Sequence, residues 1–161
     1  MIRAVAIDLD AALGDTHGLW DEFLTDVARR LASIAPLDPT ALPADRAAAA
    51  EALDRWAETG VGDWRVALER FAEERAPVFL RPNGEATAAL RALAARRVRI
   101  GVFTDAPEPL ARIALAQLGA ARHVEAVEAG ADARARLVAQ LGPGAEAVSS
   151  REALVRISRN A

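Results

Sequence analysis

The sequence predicts an α/β fold in which a parallel β-sheet is flanked by helices and carries an all-helical insertion after its first strand. Short apolar segments alternate with amphipathic helical segments over most of the chain, as they do in βαβ units. Two of these short segments, 4–9 and 98–107, run into acidic and small polar residues, which is typical of buried parallel strands where they end. The stretch 15–77 contains helical patterns only and holds all three tryptophans, which indicates the insertion.

Composition limits the classes of protein to which the chain can belong. Hydrophobic residues make up 52% of its 161 residues, enough for the core of one domain, and the absence of cysteine excludes disulfides and thiolate metal sites. The net charge of -3 argues against a nucleic-acid partner, and no apolar stretch approaches the roughly 20 residues that span a bilayer. A secretory signal is not expected, because Asp8 interrupts the first apolar run. We therefore expect a cytoplasmic protein with no nucleic-acid and no membrane partner.

The first strand and the first helix follow from two different periodicities. Residues 4–9 are a short apolar run, which predicts a buried strand. Residues 17–34 place their large apolar side chains on one helical stripe, and Asp15 or Thr16 can cap that helix. The proline-rich stretch 35–43 then predicts an irregular connection.

Two further helices complete the predicted insertion. The pattern from 45 to 59 predicts the first of them, and Gly60 and Gly62 interrupt it. Asp63 can cap the second. The stretch 76–84 is rich in turn-forming residues, and we expect the chain to return there to the sheet.

The second half of the chain repeats the strand and helix alternation. Pro107 suits the first turn of a helix, and Gly119 suits the end of that helix. The remaining predicted elements are a helix at 85–97, strands at 98–107, 123–130 and 145–150, and helices at 132–141 and 151–158. These elements assign residues 1–14 and 78–161 to the sheet core and residues 15–77 to a helical cap.

Two carboxylates lie two residues apart at the end of the first predicted strand. Side chains alternate along a strand, so Asp8 and Asp10 point to the same side if the strand continues through both. Thr104 and Asp105 end the 98–107 segment, and the carboxyl ends of parallel strands border the crevice in which ligands bind. A divalent cation or a shared proton would relieve the repulsion between the paired carboxylates, and one carboxylate could then attack phosphorus while the other moves a proton. The alternative is structural, with Asp8 starting a turn and Asp10 capping a neighbouring segment.

These residues also resemble a known family. The segment AIDLDAALGDT resembles the first motif of the haloacid dehalogenase-like hydrolases, an apolar run followed by DxDGTLxD, and GVFTDAP resembles their second motif. The helical block between them is similar to the cap of the phosphoglycolate phosphatase-like branch of that family. The resemblance covers roughly residues 1–120 and implies a Rossmann-like core with an inserted helical cap.

The resemblance implies a role for each matching residue. Asp8 matches the nucleophile that forms an aspartyl-phosphate, and Asp10 matches the general acid and base. Asp8 and Asp10 together match the Mg²⁺ ligands, Asp10 through its backbone carbonyl. Thr104 matches the hydroxyl that holds the phosphoryl group, and with Asp105 and Arg134 it forms the expected substrate-binding set. The implied partner is a small phosphorylated metabolite.

The chain departs from the family pattern in its later motifs. Ala11 and Ala12 replace a Gly-Thr pair, and the family lysine has no counterpart because all 20 basic residues are arginine. Arg134 and Arg136 are the nearest substitutes for that lysine. The segment AVSSREAL stands where the family has an acidic pair, so that Asp105 or Glu152 would have to complete the metal site.

Two functional hypotheses remain open from the sequence. In the first, the chain is a Mg²⁺-dependent phosphatase acting on a small phosphomonoester through Asp8. In the second, it keeps the fold and a pocket without the chemistry and acts as a binding or partner module. An unrelated α/β protein is a third, weaker reading. The last predicted strand is weak, and its exposed edge could pair two copies of the chain into a homodimer.

Overall fold

A computed structural model describes all 161 residues and confirms the α/β architecture. Four parallel strands form one sheet in the order β3-β2-β1-β4. The strands are β1 (Ala4–Asp8), β2 (Arg99–Thr104), β3 (Ala126–Ala129) and β4 (Ala145–Val148). The helices are α1 (His17–Arg30), α2 (Arg46–Ala57), α3 (Trp64–Phe79), α4 (Gly84–Ala95), α5 (Glu108–Gln117), α6 (Ala133–Leu141) and α7 (Arg151–Asn160).

The register of the central strands determines where the two acidic motifs meet. Asp8, the last residue of β1, pairs with Phe103 of β2, so Thr104 lies one step further along the same edge. On the other side, Ile7 pairs with Val148, the last residue of β4. After β1 the chain makes a π-helical turn over Leu9–Leu13, so Asp10 leaves the sheet instead of continuing it. The sequence placed Asp8 and Asp10 on the same side only if one strand continued through both, and the strand does not. The turn nevertheless brings Asp10 back to the sheet edge, where its side chain accepts a hydrogen bond from Thr104.

The predicted strands at 98–107 and 123–130 are shorter than expected, and the predicted ends of two helices are wrong. α1 ends at Arg30, four residues earlier than its apolar stripe predicts, and 31–34 form turns. α3 runs through Pro77 to Phe79, although the sequence predicts a turn-rich return from 76 onward. Pro77 removes the one helical hydrogen bond that its own N–H would donate, but only two residues of the helix follow it, and the buried Ala76 packs that turn on the core. The predicted cap boundary between 77 and 78 thus falls inside α3 and stays a prediction.

The inserted helices and the sheet share one hydrophobic core. A single cluster of 35 buried residues contains sheet residues such as Ile7 and Val102 together with Phe23, Trp64 and Leu68 from the insertion. A second cluster of 7 residues lies where α6 packs on the sheet. The insertion therefore packs directly on the sheet core. Every helix is too short or too polar to cross a membrane.

Candidate functional site

All five residues predicted from the strand ends and the α6 start line one cavity. Its volume is about 390 Å³, and it lies at the carboxyl edge of the sheet beside the start of α2. The predicted residues in its wall are Asp8, Asp10, Thr104, Asp105 and Arg134. The rest of the wall is His17, Asp45, Ala47, Phe103, Gly130, Ala131, Asp132 and Ala133.

Of the three predicted carboxylates in this cavity, Asp8, Asp10 and Asp105, Asp8 alone has no cationic partner. The π-helical turn that follows β1 directs two backbone N–H groups at its Oδ1, from Asp10 at 3.1 Å and Ala11 at 3.3 Å. Burial raises the pKa of Asp8, and the charges of Asp10 and Asp105 raise it further, while the two backbone hydrogen bonds oppose the shift. The charge of Asp8 is therefore destabilised and available to an incoming electrophile or cation.

Asp10 is held by four donors. Its Oδ1 accepts from the Thr16 backbone N–H at 2.8 Å and from the Thr16 hydroxyl at 2.6 Å. Its Oδ2 accepts from Arg46 Nη2 at 2.6 Å and from the Thr104 hydroxyl at 2.8 Å. A carboxylate with both oxygens used in this way is fixed in orientation and leaves no oxygen free for a proton.

Arg46 is the functional-site residue that the sequence analysis missed. It is the first residue of α2, and its side chain is only 1% exposed. Its Nε and Nη2 donate to Asp105 Oδ1 at 3.1 and 2.8 Å, and its backbone N–H donates to Asp105 Oδ2 at 3.0 Å. Its Nη1 donates to the Thr16 hydroxyl at 2.6 Å. The one local signal was its position, because a cation in the first turn of a helix opposes the helix dipole and needs another reason to be there.

Arg46 also determines the ionisation of Asp105. Burial acts to raise the pKa of Asp105, but the hydrogen bonds and charge of Arg46 outweigh it and hold this pKa below its ordinary value. Asp105 is therefore a carboxylate at neutral pH, and both of its oxygens accept from Arg46. The Thr104 hydroxyl is used in the same network, since it donates to Asp10 and accepts from the Ala106 N–H at 3.2 Å.

The residues proposed to replace the missing motifs lie in different places. Arg134 lines the cavity, whereas Arg136 donates to Glu128 at 2.9 Å and lies outside it. Ser150 caps α7 by accepting from the Ala153 N–H at 3.1 Å. Glu152 lines a separate cavity next to α4, so it does not reach Asp8.

The cavity wall is strongly acidic, which suits a hard cation. Five aspartates line it, and Arg134 is the one arginine among the lining residues. Beside it, Asp10, Asp15 and His17 place ligand atoms within 4.8 Å of one another, so this group could hold a metal ion. That group does not include Asp8. Carboxylate oxygens are the donors that Mg²⁺ prefers, and an ion held by Asp8 itself would relieve the unpaired charge of that residue.

Comparison with known proteins establishes the fold. CbbY from Rhodobacter sphaeroides in complex with phosphate is 19% identical with a TM-score of 0.59, covering 91% of this chain and 77% of that one. A putative beta-phosphoglucomutase from Thermotoga maritima is 15% identical with a TM-score of 0.58, covering 99% of both chains. A mutant CbbY in complex with xylulose-(1,5)bisphosphate is 18% identical with a TM-score of 0.58, covering 91% of this chain and 77% of that one.

No protein-family model matches the sequence, and no curated protein is similar to it in sequence. The structural likenesses show that the chain has the haloacid dehalogenase-like fold, as its motifs predict.

Proposed function

We propose that the chain is a phosphatase that hydrolyses a small phosphomonoester through an aspartyl-phosphate on Asp8. The observation that carries this proposal is the state of Asp8, a partly buried carboxylate with no cationic partner that faces a cavity at a sheet edge. The structural neighbour CbbY in complex with phosphate supports a phosphate-class ligand for this fold.

The proposed reaction has two displacements. In the first, an Asp8 carboxylate oxygen bonds to phosphorus, the ester P–O bond breaks, and a protonated Asp10 gives its proton to the departing alkoxide. In the second, a water oxygen bonds to phosphorus and a proton of that water passes to Asp10. The bond between phosphorus and the Asp8 oxygen breaks, which frees inorganic phosphate and restores the Asp8 carboxylate. Because Asp10 accepts four hydrogen bonds here, it must lose a donor before it can carry that proton.

Mg²⁺ is the cation that we propose for the acidic cavity. The side chain of Asp8 would hold it, and the backbone carbonyl of Asp10 would join it by analogy with the family motif. When bound, it would neutralise the charge that the nucleophile and the phosphoryl oxygens bring together.

Release of inorganic phosphate from p-nitrophenyl phosphate, with and without Mg²⁺, tests this function. We expect Mg²⁺-dependent turnover in the unchanged chain and a loss of at least about 1000-fold in Asp8→Asn. Asp26→Asn is a matched control, because Asp26 pairs with Arg29 and Arg30 on α1 and does not line the cavity. Equal turnover in the two variants would exclude Asp8 as the nucleophile.

A binding module without catalysis is the second candidate. Two observations favour it. Asp10 and Thr104 are already fixed in hydrogen bonds, and a group fixed in this way contributes less to moving a proton. After β4 the chain has serines, which supply no carboxylate. Binding of inorganic phosphate without any turnover of aryl or alkyl phosphates would support this candidate.

The homodimer also stays a proposal. β4 is an edge strand on which Glu146 and Ala147 are exposed, so its outer edge is open to pairing with a second copy. A monomeric mass in light scattering would exclude this arrangement.

A further inference from the structure

Arg46 is the only charged residue of the chain whose side chain is fully buried, and it stands behind the cavity instead of in its wall. The residues that line the cavity include its partners Asp10 and Asp105 but not Arg46 itself. Its Nη2 lies 2.6 Å from Asp10 Oδ2 and 2.8 Å from Asp105 Oδ1. One guanidinium therefore pairs with two of the five acidic groups that face the cavity and offsets one of their two negative charges.

This placement decides what the cavity can bind. Without Arg46, an anion entering the cavity would meet five aspartates with only Arg134 as a lining arginine. A buried charge acts through a lower effective dielectric than an exposed one, so its influence extends into the cavity without contact.

We propose that Arg46 is a positioning residue that allows the cavity to accept a phosphate-class anion, because it pairs with Asp10 and Asp105 from behind and offsets part of their negative charge without touching the anion. The proposal rests on the proposed function, because it takes the anion to be the phosphoryl group of the substrate or product. It assigns to α2 of the insertion a counter-charge in addition to Arg134, since the chain has no lysine and the core arginine Arg136 pairs elsewhere.

Three variants separate this role from direct contact and from a purely structural role. The measurement is calorimetric titration of inorganic phosphate at a fixed, saturating Mg²⁺ concentration and neutral pH. Arg46→Met should weaken phosphate binding at least about tenfold, because it removes one unit of positive charge that acts on the anion at an effective dielectric of about 20. Asp105→Asn should tighten binding several-fold, because it removes a negative charge and keeps Arg46.

The double variant Arg46→Met with Asp105→Asn is the decisive comparison. Because one charge of each sign is removed, we expect binding within about threefold of the unchanged chain. If Arg46 contacts the anion directly, removing Asp105 will not restore binding, and the proposal is overturned. If Arg46 blocks the cavity, Arg46→Met alone will bind phosphate more tightly, which also overturns it.

A second ion pair provides the matched control. Arg75 Nη2 lies 2.8 Å from Glu22 Oε1 within the insertion, and neither residue lines the cavity. Arg75→Met should leave phosphate binding unchanged, and an effect equal to that of Arg46→Met would overturn the proposal.

If Arg46→Met fails to fold, Asp105→Asn alone decides, since unchanged or weaker binding in that variant contradicts the charge argument. Failure of the unchanged chain to bind phosphate would overturn the proposed function as well, whereas normal binding that is indifferent to these charges overturns this inference alone.

Discussion

The two halves of the sheet edge differ in how their polar groups are used. At the ends of β1 and β2, Asp10, Thr104 and Asp105 are joined through Arg46 into one hydrogen-bonded network. At the ends of β3 and β4, the chain offers small residues at 130, 131 and 133, the charged pair of positions Asp132 and Arg134, and a serine that caps a helix. The first half holds its charges in a fixed geometry, whereas the charges of the second half lie outside that network.

This difference shows how a fold can persist while one side of its site is replaced. The lysine and acidic residues that the family resemblance places after β3 and β4 have no counterparts, yet both strands pair in register with the sheet. A cation instead reaches the β1 and β2 ends from the inserted helices, which share the core of the sheet. The packing that maintains the fold and the placement of charges around the cavity are therefore separate requirements. Both halves of the sheet meet the first, but the charges of the family pattern are absent from the ends of β3 and β4.

The largest effect on stability should come from the network of the first half. Arg46→Ala leaves Asp10 and Asp105 close together without their shared cation, so we expect a loss of about 3–5 kcal/mol in the free energy of unfolding. Arg75→Ala breaks a partly exposed pair and should cost about 0–1 kcal/mol. Urea denaturation of both variants measures the contrast, and equal losses would show that the buried network is no stronger than a surface pair.

Packing between the two halves, where α6 lies against β2, should be the next most sensitive feature. A Cβ at Gly101 of β2 would lie 2.6 Å from Leu137 Cδ1 on α6 and 3.0 Å from Leu141 Cδ1. Gly101→Ala should therefore cost about 1–3 kcal/mol, because the buried Leu137 and Leu141 side chains must move to make room. Gly84→Ala in α4 meets no atom within 4 Å and is the matched control, for which we expect a change of less than about 1 kcal/mol. Similar thermal denaturation midpoints for the two variants would contradict this close approach.

The sequence predicted the acidic and hydroxyl residues of the first half of the site but not the arginine that pairs with them. Asp8, Asp10 and Thr104 lie together because parallel strands end at one edge, and that rule is visible in a single sequence. The partner of Asp10 lies 36 residues away, at the start of a helix whose direction depends on how the insertion packs. No periodicity encodes that contact, and the local clue was a cation in an unfavourable helix position. The predicted end of α3 was wrong for a related reason. Pro77 favours the end of a helix locally, but tertiary packing keeps the chain helical through it.

A helix cap in the second half should affect folding without affecting the site. Ser150 accepts from the Ala153 N–H at 3.1 Å, and its removal leaves an unsatisfied donor in the first turn of α7. Ser150→Ala should cost about 1 kcal/mol in the free energy of unfolding and leave phosphate binding unchanged. Chemical denaturation and titration on the same sample check both expectations. A loss of phosphate binding in Ser150→Ala would place the β4 end in the site after all.

The smallest effect should come from Asp8, the exception within the first half. A raised pKa means that the charged form of Asp8 is less stable in the folded state than in the unfolded state. Its charge therefore opposes folding at neutral pH, and that penalty disappears as the pH falls through the raised pKa. Asp8→Asn keeps an oxygen for the two backbone N–H groups and should raise the melting temperature by about 1–2 °C at pH 7.

Asp105 provides the opposite case for the same measurement. Its pKa is lowered, so its charge stabilises the fold above the ordinary aspartate pKa, and this contribution is lost as the pH falls through the lowered value. Asp105→Asn should therefore lower the melting temperature at pH 7 while Asp8→Asn raises it, and both differences should shrink in acid. If the melting temperature changes in the same direction in the two variants, Arg46 does not distinguish these neighbouring carboxylates. The proposed contrast between the paired Asp105 and the unpaired Asp8 would then be wrong.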